Sequence, residues 1–589
     1  MTYVFNAPEQ FAEEAADGFA AAYWRYVRRV PGGVVRREPL APGTVAVVIG
    51  GGSGHYPAFA GFVGDGLAAG AAMGNVFASP SAHHAQNVAR SVEAGGGVLF
   101  SYGNYAGDVL NFGEAEARLL ADGFACASVA VTDDVASAPA GERWRRRGIA
   151  GGLIVYKVAG AAAGEGSDLG EVHRLAALAN ERTRSIGIAF SGCTLPGSRE
   201  PLFHVPLGRM AVGMGVHGES GLDERNAVRA DELAELLVGI LWRESPCGAS
   251  QRGERVAVVL NGLGSVKYEE LFVLYRRVSQ LLCSEGMIVI EPEVGELVTS
   301  FAMAGVSLSL CWLDDDLERA WLAPALAPAF RRPPPSGVLQ SPRTPVSVPS
   351  ANPPMLDGGD QSGRVATGLA HEGSRAAAAS VARGLRLAAG ALDAAAEQLG
   401  RYDAIAGDGD HGIGMQRGVI AAAAEADRLV REGAGAGAVL ESAGAAWADA
   451  GGGTSGALWG IGLRAAGRHL GDSPPPDAST VVDAVNAACE AIARAGKVAE
   501  GDKTMLDALF PFGRALREQI GRGVALGDAW VAAASLAREA AEATAALAPR
   551  AGRARLHGEK SRGTPDPGAI SLALVLDAAG RAGKGGEDA

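Results

Sequence analysis

The chain has 589 residues, of which 48% are hydrophobic and 20% are charged. Such a composition is typical of folded globular proteins and excludes wholesale disorder. Its 53 Lys and Arg residues against 66 Asp and Glu residues give a formal net charge of −13, which disfavours general binding to nucleic acid or to anionic membranes. At roughly 100–200 residues per domain, the length predicts about three or four domains.

The cysteines and the apolar runs indicate the cellular compartment of the protein. The six cysteines are scattered without the CxxC or Cys/His spacings of zinc sites, so we expect reduced thiols and no disulfide framework. Residues 1–19 are acidic and lack the apolar core of a signal peptide. No uninterrupted apolar run reaches the about 20 residues that a membrane-spanning helix needs. We therefore expect a cytoplasmic protein without a membrane or nucleic-acid partner.

Residues 1–325 are predicted to form an α/β domain of two lobes that divide near residue 185. Short apolar, β-branched runs alternate there with helical stretches, a pattern typical of a largely parallel sheet. These runs occupy residues 45–49, 98–100, 125–132, 256–260 and 287–290. Polar or glycine-rich sequences follow each run, and ligands of open α/β sheets bind beyond the carboxyl ends of strands. We expect a binding site in those following sequences.

Three residues in these sequences are candidates for chemistry: His55 in GGGSGHYP, Asp108 in GNYAGDVLNF and His217 in GMGVHGES. A lone histidine is more often structural than catalytic, but the flanking glycines leave the His55 and His217 rings accessible. GGGSGHYP matches a dinucleotide-binding GxGxxG only loosely. Two histidines and an aspartate are able to do acid–base work, or a histidine to act as a nucleophile. The sequence does not show whether the three lie together.

A proline-rich stretch divides the chain. Ten of its 29 prolines fall within residues 324–354, and glycine-rich sequence continues to about residue 373. Such a composition does not hold a packed helix or sheet, so residues 326–373 are predicted to be a linker. Residues 374–589 are rich in Ala and Leu at a spacing near 3.6 residues, which predicts an all-α domain.

The first helix break of this second domain carries Asp403, Asp408 and Asp410 in YDAIAGDGDHG. Three converging carboxylates repel one another and raise one another's pKa values unless a cation neutralises them. Oxygen ligands without a Cys or His cluster favour Mg²⁺ over Zn²⁺. A calcium EF-hand is excluded because Ile413 stands at the position that requires glycine. Taken by itself, this sequence is equally consistent with an exposed turn.

The next break, GGGTSG at residues 451–456, favours a ligand site over a simple turn. Its glycines expose backbone N–H groups where a helix begins, and such a terminus attracts anions. Thr454 and Ser455 add hydroxyl donors, although the sequence is not a Walker A loop. Arg553 and Asp566 add charges in later non-helical sequences. Carboxylates, a glycine-rich loop and cations together are what a nucleoside triphosphate site requires.

These motifs, taken in order, resemble the dihydroxyacetone kinase family. Its substrate half is matched by GGGSGHYP, FASPS, NYAGDVLNF, DDVA, RRGIAG, SGCTLPG, GMGVHGE and NGLG, and its nucleotide half by GDGDHG, GGGTSGALWG, GDKTMLDAL and GRARLHGEKS followed by DPGA. The resemblance covers nearly the whole chain except the linker. Both halves in one chain resemble the ATP-dependent, single-chain enzymes. It implies an α/β two-lobed K-type substrate domain, an all-α helical-barrel L-type nucleotide domain, ATP, Mg²⁺ and a homodimer.

The resemblance also implies roles for individual residues. His217 falls where the family binds the ketose carbonyl as a covalent hemiaminal, and His55 and Asp108 fall on its acid–base pair. The remaining positions implied for the substrate are Gly52, Ser53, Gly54, Tyr56, Ser79 and Asn104. Those implied for Mg²⁺ are Asp403, Asp408 and Asp410. Those implied for the nucleotide are His411, Gly453, Thr454, Ser455, Gly456, Arg553 and Asp566.

The sequence departs from the family pattern beside the proposed substrate residues. Tyr56 stands where the family usually has Glu, and Ser220 stands where Pro is common. GHYPAF resembles the branch that includes erythrulose kinases, so the resemblance implies a short ketose, either D-erythrulose or dihydroxyacetone. Two alternatives stay open: a non-catalytic ketose-sensing regulator, which is expected to lack the acid–base pair or the metal aspartates, and a lyase activity that cyclises FAD.

Overall fold

The chain was analysed as a computed structural model that describes residues 2–219, 221–246, 253–334, 370–405, 407, 409–473, 475–550 and 561–584. The strands are β1 (Val27–Val30), β2 (Gly33–Arg36), β3 (Ala46–Ser53), β4 (Gly70–Val76), β5 (Val98–Gly103), β6 (Cys126–Val131), β7 (Thr183–Ala189), β8 (Arg209–Val212), β9 (Asp223–Asn226), β10 (Arg255–Gly262), β11 (Ile288–Gly295), β12 (Gly305–Leu313), β13 (Ala325–Leu326) and β14 (Arg331–Arg332).

The helices divide between the two predicted domains. Those before the linker are α1 (Phe11–Ala22), α2 (Ala82–Arg90), α3 (Ala106–Ala121), α4 (Gly152–Gly164), α5 (Leu169–Arg182), α6 (Ala230–Arg243), α7 (Tyr268–Ser284) and α8 (Asp315–Leu322). Those after it are α9 (Glu372–Asp403), α10 (His411–Arg431), α11 (Ala436–Gly451), α12 (Gly453–Leu470), α13 (Ala478–Gly496), α14 (Leu506–Gly521), α15 (Leu526–Ala543) and α16 (Pro567–Lys584).

The first lobe is built on a sheet of order β1-β2-β4-β3-β5-β6. The neighbours β4, β3, β5 and β6 are parallel, and the β1–β2 hairpin adds an antiparallel edge. The first six positions of β3 are buried, as expected for a central parallel strand covered on both faces. The runs predicted at 45–49, 98–100 and 125–132 fall in β3, β5 and β6, which are mutually parallel.

The second lobe begins with β7 at Thr183 and has a sheet of order β11-β10-β12-β7-β8-β9. Its predicted runs, 256–260 and 287–290, fall in β10 and β11, which are parallel. The other pairs in this sheet are antiparallel, so a largely parallel sheet is wrong for this lobe. The antiparallel partners β12 and β7 are also wholly buried, and a buried apolar run does not reveal the direction of its neighbours.

One apolar core joins the two lobes. It contains side chains of β3 from the first sheet, of β10 from the second, and of the helices α4, α5 and α8. Helix α4 is buried on every side from Gly152 to Ala163, which is how a helix that is apolar all round is accommodated. Because this layer is shared, the ends of β3 and of the second sheet's loops are held at fixed positions relative to each other.

The hairpin β13–β14 ends the first domain and packs back on the first lobe. Leu326 exchanges two backbone hydrogen bonds with Asp65 at 2.9 and 3.0 Å, and the Arg332 guanidinium lies 4.1 Å from the centroid of the Trp321 ring. Folded structure therefore extends at least to Arg332, within the segment 326–373 that the composition assigns to a linker. Helix α9 begins at Glu372, near the far end of that segment.

The second domain is all-α, as predicted, and its helices form a closed barrel. Each helix from α9 to α16 packs on the next, and α16 packs back on α9. Gly418 lets α10 approach α11 closely, because a Cβ on it would lie 2.4 Å from the Trp447 indole. Trp447 stacks on Trp459 with 4.4 Å between ring centroids. Helices α12 and α11 also contact α3 and α2 of the first domain.

Two smaller expectations concern the described residues only. The five cysteines there, Cys126, Cys193, Cys283, Cys311 and Cys489, are free. None of the helices described above is both long and apolar enough to cross a membrane.

Lys157 is a cation buried inside α4 and generates a prediction about stability. Its ammonium donates a hydrogen bond of 2.7 Å to the Ala320 carbonyl in the last turn of α8. Burial, with a smaller contribution from Arg332, lowers the pKa of Lys157 from 10.5 to about 7. Between these two values the unfolded chain binds more protons at this position than the folded chain does. The free energy of unfolding therefore rises with pH in that interval.

We expect Lys157→Met to remove about 2 kcal/mol of the gain in unfolding free energy between pH 7 and pH 9, because the variant has no proton to lose there. Urea unfolding of wild type and variant at both pH values measures this difference. The exposed Lys267, changed to Met, is the matched control. If the unfolding free energy of wild type and Lys157→Met changed equally with pH, burial would not lower the pKa of Lys157.

Candidate functional site

The candidate site forms where β3 ends and the two lobes meet. Backbone hydrogen bonds hold the turn after β3 to both sides: Phe77 N–H donates to Ser53 O at 2.9 Å, Phe301 N–H to Gly54 O at 3.0 Å, and Thr299 N–H to His55 O at 3.1 Å. Gly54 has φ +103°, and a Cβ there would lie 2.6 Å from the Phe301 ring. Glycine is therefore required at Gly54, and the next residue, His55, is held 4% exposed between the lobes.

His55 meets His217, which follows β8 of the second lobe, with 3.0 Å between the two Nε2 atoms. His55 Nδ1 lies 2.7 Å from the Thr299 carbonyl, and His217 Nδ1 lies 3.0 Å from Glu219 Oε1. Because both of these oxygens are acceptors, each Nδ1 carries a hydrogen. The two Nε2 atoms then face each other with lone pairs, so a hydrogen bond between them requires one shared proton. Such an arrangement is chemically suited to proton transfer between the two rings.

Aromatic rings enclose this histidine pair. Phe77 stacks on His55 with 4.9 Å between centroids and meets His217 edge-on at 5.0 Å. Tyr105 also meets His217 edge-on at 5.0 Å. The Tyr105 hydroxyl is buried and has no hydrogen-bond partner among the described residues, and burial raises its pKa well above 10. This hydroxyl is a donor that a bound carbonyl or hydroxyl group would satisfy.

A buried chain of charges lies behind His217. Glu219 accepts from the His217 backbone N–H at 3.0 Å in addition to Nδ1–H, and its Oε2 lies 3.9 Å from Arg147 Nη1. Arg147 in turn donates through Nε and Nη2 to Asp134 at 3.0 and 2.8 Å. Although burial lowers the pKa of Arg147, Asp134 and Glu219 raise it above its usual range. The guanidinium therefore stays charged beside the Glu219 carboxyl group.

Asp108 lies in the first turn of α3 and is 7% exposed. Helix α3 begins immediately after Tyr105, whose ring contacts His217, so Asp108 lies three residues along the chain from a ring of the histidine pocket. Ser79 lies against the same turn, because a Cβ on Gly107 would lie 3.1 Å from its Cβ. Asp108 and Ser79 therefore line the edge of the first domain that faces the barrel.

The other residues implied for the substrate differ in what they contact. Ser53 Oγ donates to Gly74 O at 2.6 Å, and a Cβ on Gly52 would lie 2.7 Å from Ala78 N, so both hold the turn after β3 against the loop after β4. The Asn104 amide donates to the carbonyls of Trp144 and Arg146 at 3.0 and 2.7 Å, which positions the loop that leads to Arg147. Tyr56 is half exposed and its ring packs edge-on against Phe19 of α1.

In the barrel, three helices begin around His411, which is the first residue of α10. His411 Nδ1 lies 3.3 Å from Ser455 Oγ in the first turn of α12, and its Nε2 lies 2.9 Å from Ser571 Oγ near the start of α16. Burial lowers the pKa of His411. Gly452 and Gly453 have φ of +58° and +59°, which allows the sharp turn from α11 into α12, followed by Thr454, Ser455 and Gly456. Converging helix N-termini favour an anionic ligand.

Carboxylates gather beside these N-termini. Asp403 ends α9, and its Oδ2 accepts from the His411 N–H at 3.3 Å. Burial, together with Asp403, raises the pKa of Asp410 to about 7, and burial raises that of Asp566, which caps α16, to about 7. Asp408 and Arg553 lie outside the described residues. Within the described residues alone, no group of three His, Cys, Asp or Glu side chains is placed to hold a metal ion.

The GDKT loop after α13 completes the barrel side of the site. Asp507 in the first turn of α14 accepts from the backbone N–H groups of Gly501 and Thr504 at 2.5 and 2.7 Å, which fixes the loop. The buried Lys503 ammonium donates to the carbonyls of Ser561 and Leu547 at 2.6 and 3.2 Å. It also opposes the rise in the pKa of Asp566, so a cation stands beside the carboxylates.

The glycine-rich loop before α12 contacts the first domain at the loop after β4 and at helix α3. Gly453 N–H donates to the Ser79 carbonyl at 3.2 Å, and Asn111 of α3 donates to the Gly453 carbonyl at 3.4 Å. A Cβ on Gly107 would lie 3.2 Å from Thr454 N. The first turn of α12 therefore lies against the first turn of α3, next to Asp108. The arrangement places the helix N-termini around His411 on the side of the barrel that meets the histidine pocket.

Sequence reasoning did not assign roles to Glu219, Arg147, Asp134, Thr299 or Tyr105. Four of the five stand in or beside quoted motifs: Glu219 in GMGVHGES, Arg147 in RRGIAG, Asp134 in DDVA and Tyr105 in NYAGDVLNF. Their place behind or beside His217 is a product of the tertiary fold. Thr299 acts through a backbone carbonyl, which leaves no trace in residue type.

Comparison with known proteins places both domains in named families. The Dak1 domain family matches residues 17–329, and the DAK2 domain family matches residues 405–581. The chain is 56% identical over 580 residues to the L-erythrulose kinase of Pectobacterium atrosepticum, covering 98% of this chain and 96% of that protein. It is 51% identical over 578 residues to the D-erythrulose kinase of Mycolicibacterium smegmatis, covering 98% of this chain and 97% of that protein.

A solved structure with both domains is similar to this chain throughout. It is the dihydroxyacetone kinase from C. freundii in complex with AMP-PNP and Mg²⁺, with a TM-score of 0.51 and 31% sequence identity. The similarity covers 98% of this chain and 99% of that chain.

The contact between Glu219 and His217 generates a prediction about the tautomer of His217. In Glu219→Leu the acceptor for Nδ1–H is removed, so we expect the ring to shift to the tautomer with hydrogen on Nε2. Glu219→Gln is the matched control, because its amide oxygen still accepts from Nδ1–H. Nitrogen-15 NMR of histidine-labelled protein measures the tautomer. Identical ring signals in wild type and Glu219→Leu would show that Glu219 does not set it.

Proposed function

This chain belongs to the single-chain dihydroxyacetone kinase family, which includes erythrulose kinases, and we propose that it transfers the terminal phosphoryl group of ATP to a terminal hydroxyl of erythrulose. The observation that carries the proposal is the 3.2 Å contact between Gly453 of the barrel and Ser79 beside the histidine pocket. It brings the anion-binding helix N-termini next to Asp108. The identities of 56% and 51% to an L- and a D-erythrulose kinase favour this four-carbon ketose and leave its enantiomer to experiment.

We propose that His217 holds the ketose as a covalent hemiaminal. Its Nε2 lone pair attacks the carbonyl carbon, a C–N bond forms, and the C=O π bond breaks toward oxygen. The proton shared with His55 moves to that oxygen and makes a hydroxyl. The positive charge thereby passes from the His55 ring to the His217 ring, where the Glu219 carboxylate opposes it at 3.0 Å. A polyol without a carbonyl does not form this bond.

The covalent bond would leave the terminal hydroxyl as the part of the sugar that reaches the barrel. Asp108 then accepts the hydroxyl proton as general base, because it stands in the helix turn against which Thr454 packs. Positioning supplies most of what phosphoryl transfer needs, since the reaction requires in-line alignment more than covalent help. The backbone N–H groups at the start of α12, with Ser455 and His411, bind phosphate oxygens.

Mg²⁺ fits the carboxylates at the end of α9. Burial and the neighbouring Asp403 raise the pKa of Asp410 to about 7, although Arg417 opposes the rise, and oxygen donors suit Mg²⁺. Asp403, Asp408 and Asp410 would hold it. Bound Mg²⁺ neutralises charge on phosphate oxygens. We also propose that the enzyme is cytoplasmic and homodimeric. The cytoplasmic location agrees with its cysteine pattern, and the homodimer agrees with its family resemblance.

The covalent role of His217 predicts a selective loss. We expect His217→Ala to lower kcat/KM for erythrulose and dihydroxyacetone by at least about 100-fold, since positioning alone is worth several powers of ten. His204, changed to Ala, is a control histidine outside the pocket. Coupled ADP release with ATP and Mg²⁺ measures both. An unchanged kcat/KM in His217→Ala would contradict the hemiaminal.

A panel of substrates tests the reaction itself. We expect wild type to turn over D-erythrulose, L-erythrulose and dihydroxyacetone, with one erythrulose enantiomer fastest, and to leave glycerol untouched because glycerol has no carbonyl. Mass analysis identifies the phosphorylated product. Binding of ketose without turnover would favour the sensing regulator, and release of a cyclic phosphate from FAD would favour the lyase activity.

If Asp410 is a Mg²⁺ ligand, replacing it should weaken the binding of Mg-ATP and leave the binding of ketose unchanged. Asp410→Asn is expected to raise the KM for Mg-ATP about ten-fold or more, because a neutral amide binds Mg²⁺ more weakly, while calorimetric affinity for the ketose stays unchanged. Asp427→Asn on the same helix, which breaks only a surface pair with Arg386, is the control. Equal weakening of ketose binding in Asp410→Asn would contradict the division of the site between the domains.

A further inference from the structure

Three arginines gather where the loop between β6 and α4 meets the start of β7 and the end of α6. Arg143 and Arg146 lie in that loop, and Arg184 is the second residue of β7. Arg146 and Arg184 both reach Glu244, the residue after α6. Arg146 Nη2 donates to its carboxylate and Arg184 Nε donates to its backbone carbonyl, each at 3.0 Å. We call Arg143, Arg146 and Arg184 the arginine cluster.

Positive charge exceeds negative charge among the described residues of the arginine cluster. Arg184 is otherwise held by two backbone carbonyls just before it in the chain, at 2.6 and 2.7 Å, and Arg146 by the Ala138 carbonyl at 2.9 Å. Such carbonyls are neutral, so they fix the two guanidinium groups without balancing their charge. In the part of the chain that the structure describes, Glu244 is the one carboxylate that forms an ion pair with any of the three arginines.

Each of the two buried arginines keeps a hydrogen-bond donor without an acceptor. Arg146 is 0% exposed and Arg184 is 2% exposed. Arg146 Nη1 and Arg184 Nη2 are buried, and neither has a hydrogen-bond partner among the described residues. Burial, together with Arg143 and Arg146, lowers the pKa of Arg184 to about 10, so its guanidinium is still charged at neutral pH. Unpaired donors on buried cations destabilise a fold unless an anion accepts from them.

These donors suit a small oxyanion. A guanidinium presents its N–H groups in a planar fork that matches two oxygens of a phosphate or sulfate ion. Because Arg146 and Arg184 both end at Glu244, an ion beside that residue would be near both forks. The Glu244 side chain is 23% exposed and Arg143 is also partly exposed, so the cluster meets solvent on this side.

We propose that the arginine cluster binds a free oxyanion of the phosphate class, and that the Glu244 carboxylate occupies part of this site until the ion displaces it from Arg146. A doubly charged ion would supply more negative charge than the single carboxylate does. A free ion fits better than a phosphate group on a sugar, because the unpaired N–H groups are buried. The next residue, Arg147, pairs with Asp134 instead, so this site is distinct from the candidate site, and binding there does not depend on kinase activity.

Calorimetric titration of the full chain with inorganic phosphate, in sodium chloride of constant ionic strength, tests the site. We expect Arg146→Met to weaken phosphate binding at least about ten-fold, because charge-assisted hydrogen bonds from a buried cation are lost. Arg225→Met, which removes an exposed arginine paired with Asp223, is the matched control. Because phosphate also suits the helix N-termini of the barrel, only the heat that Arg146→Met loses and Arg225→Met keeps is assigned to the cluster.

Two milder variants are expected to act in opposite directions. Glu244→Gln should bind phosphate about three-fold more tightly, since a neutral amide competes less well for Arg146, and Arg143→Gln should bind it about three-fold more weakly. These two decide the question if circular dichroism shows that Arg146→Met does not fold. Equal phosphate binding in wild type, Glu244→Gln and Arg143→Gln would overturn the proposal and leave the cluster as a structural ion pair. Weaker binding in Glu244→Gln would contradict displacement of its carboxylate.

A second titration distinguishes the free ion from a phosphate ester. Glycerol 3-phosphate carries the same tetrahedral group on a polyol without a carbonyl. We expect the arginine cluster to bind it at least about ten-fold more weakly than inorganic phosphate, because a buried site has no room for the polyol without shifts in its packing. Equal affinities for the two, both lost in Arg146→Met, would overturn the assignment to a free ion and would identify a phosphate monoester as the ligand.

Discussion

The contact between the Nε2 atoms of His55 and His217, 3.0 Å apart, is the interaction on which the rest of the account depends. One histidine follows a strand of the first sheet and the other follows a strand of the second. The contact therefore exists only because a common apolar layer fixes the two sheets relative to each other. Carbonyl and carboxylate oxygens take both Nδ1 hydrogens, so the pair is left with one proton to share. Under the proposed function, this orientation is what would let one histidine act as the nucleophile and the other as its acid.

The charges behind this pair act on it in sequence. Asp134 holds the Arg147 guanidinium in place, the guanidinium lies 3.9 Å from Glu219, and Glu219 accepts from the His217 ring. A buried charge without a partner lowers the stability of the fold, and each charge here has a partner of opposite sign. The barrel contributes a different arrangement, in which helix N-termini and their backbone N–H groups surround His411. Under the proposed function, the first domain would bind the ketose carbonyl and the second the phosphates, and Gly107 and Gly453 allow close contact between the two domains.

The sequence predicts the strands of the apolar runs, but not the antiparallel strands or the charged residues behind His217. The five apolar runs all lie in strands, and those that are neighbours pair in parallel. The antiparallel β7 and β12 were not singled out, because a wholly buried strand carries no alternation that reveals its neighbours. Flanking glycines single out His55 and His217 in the sequence, and the preceding apolar run singles out Asp108; their roles stay predictions. Glu219, Arg147 and Asp134 act through a neighbouring side chain, and such roles become visible only when the fold brings positions 134, 147 and 219 together.

At some positions, a residue in a family motif makes contacts other than those that the motif implies. Asn104 lies in the motif NYAGDVLNF, yet its amide nitrogen binds two backbone carbonyls of the loop before Arg147. Tyr56 departs from the family pattern, and its ring packs on α1. A motif records that a residue type is needed at a position, whereas the contact shows which neighbour needs it. Proline-rich composition likewise does not show where folded structure ends, since Pro328 lies between the two strands of the β13–β14 hairpin.

The most direct test of the central claim is carbon-13 NMR of the protein with erythrulose labelled at its carbonyl carbon and with nitrogen-15 in the histidines. The account predicts that the carbonyl signal is replaced by that of a tetrahedral carbon coupled to one nitrogen-15, and that both features vanish in His217→Ala. A carbonyl signal that persists in the bound sugar, or a tetrahedral carbon without nitrogen coupling, would contradict covalent capture by His217.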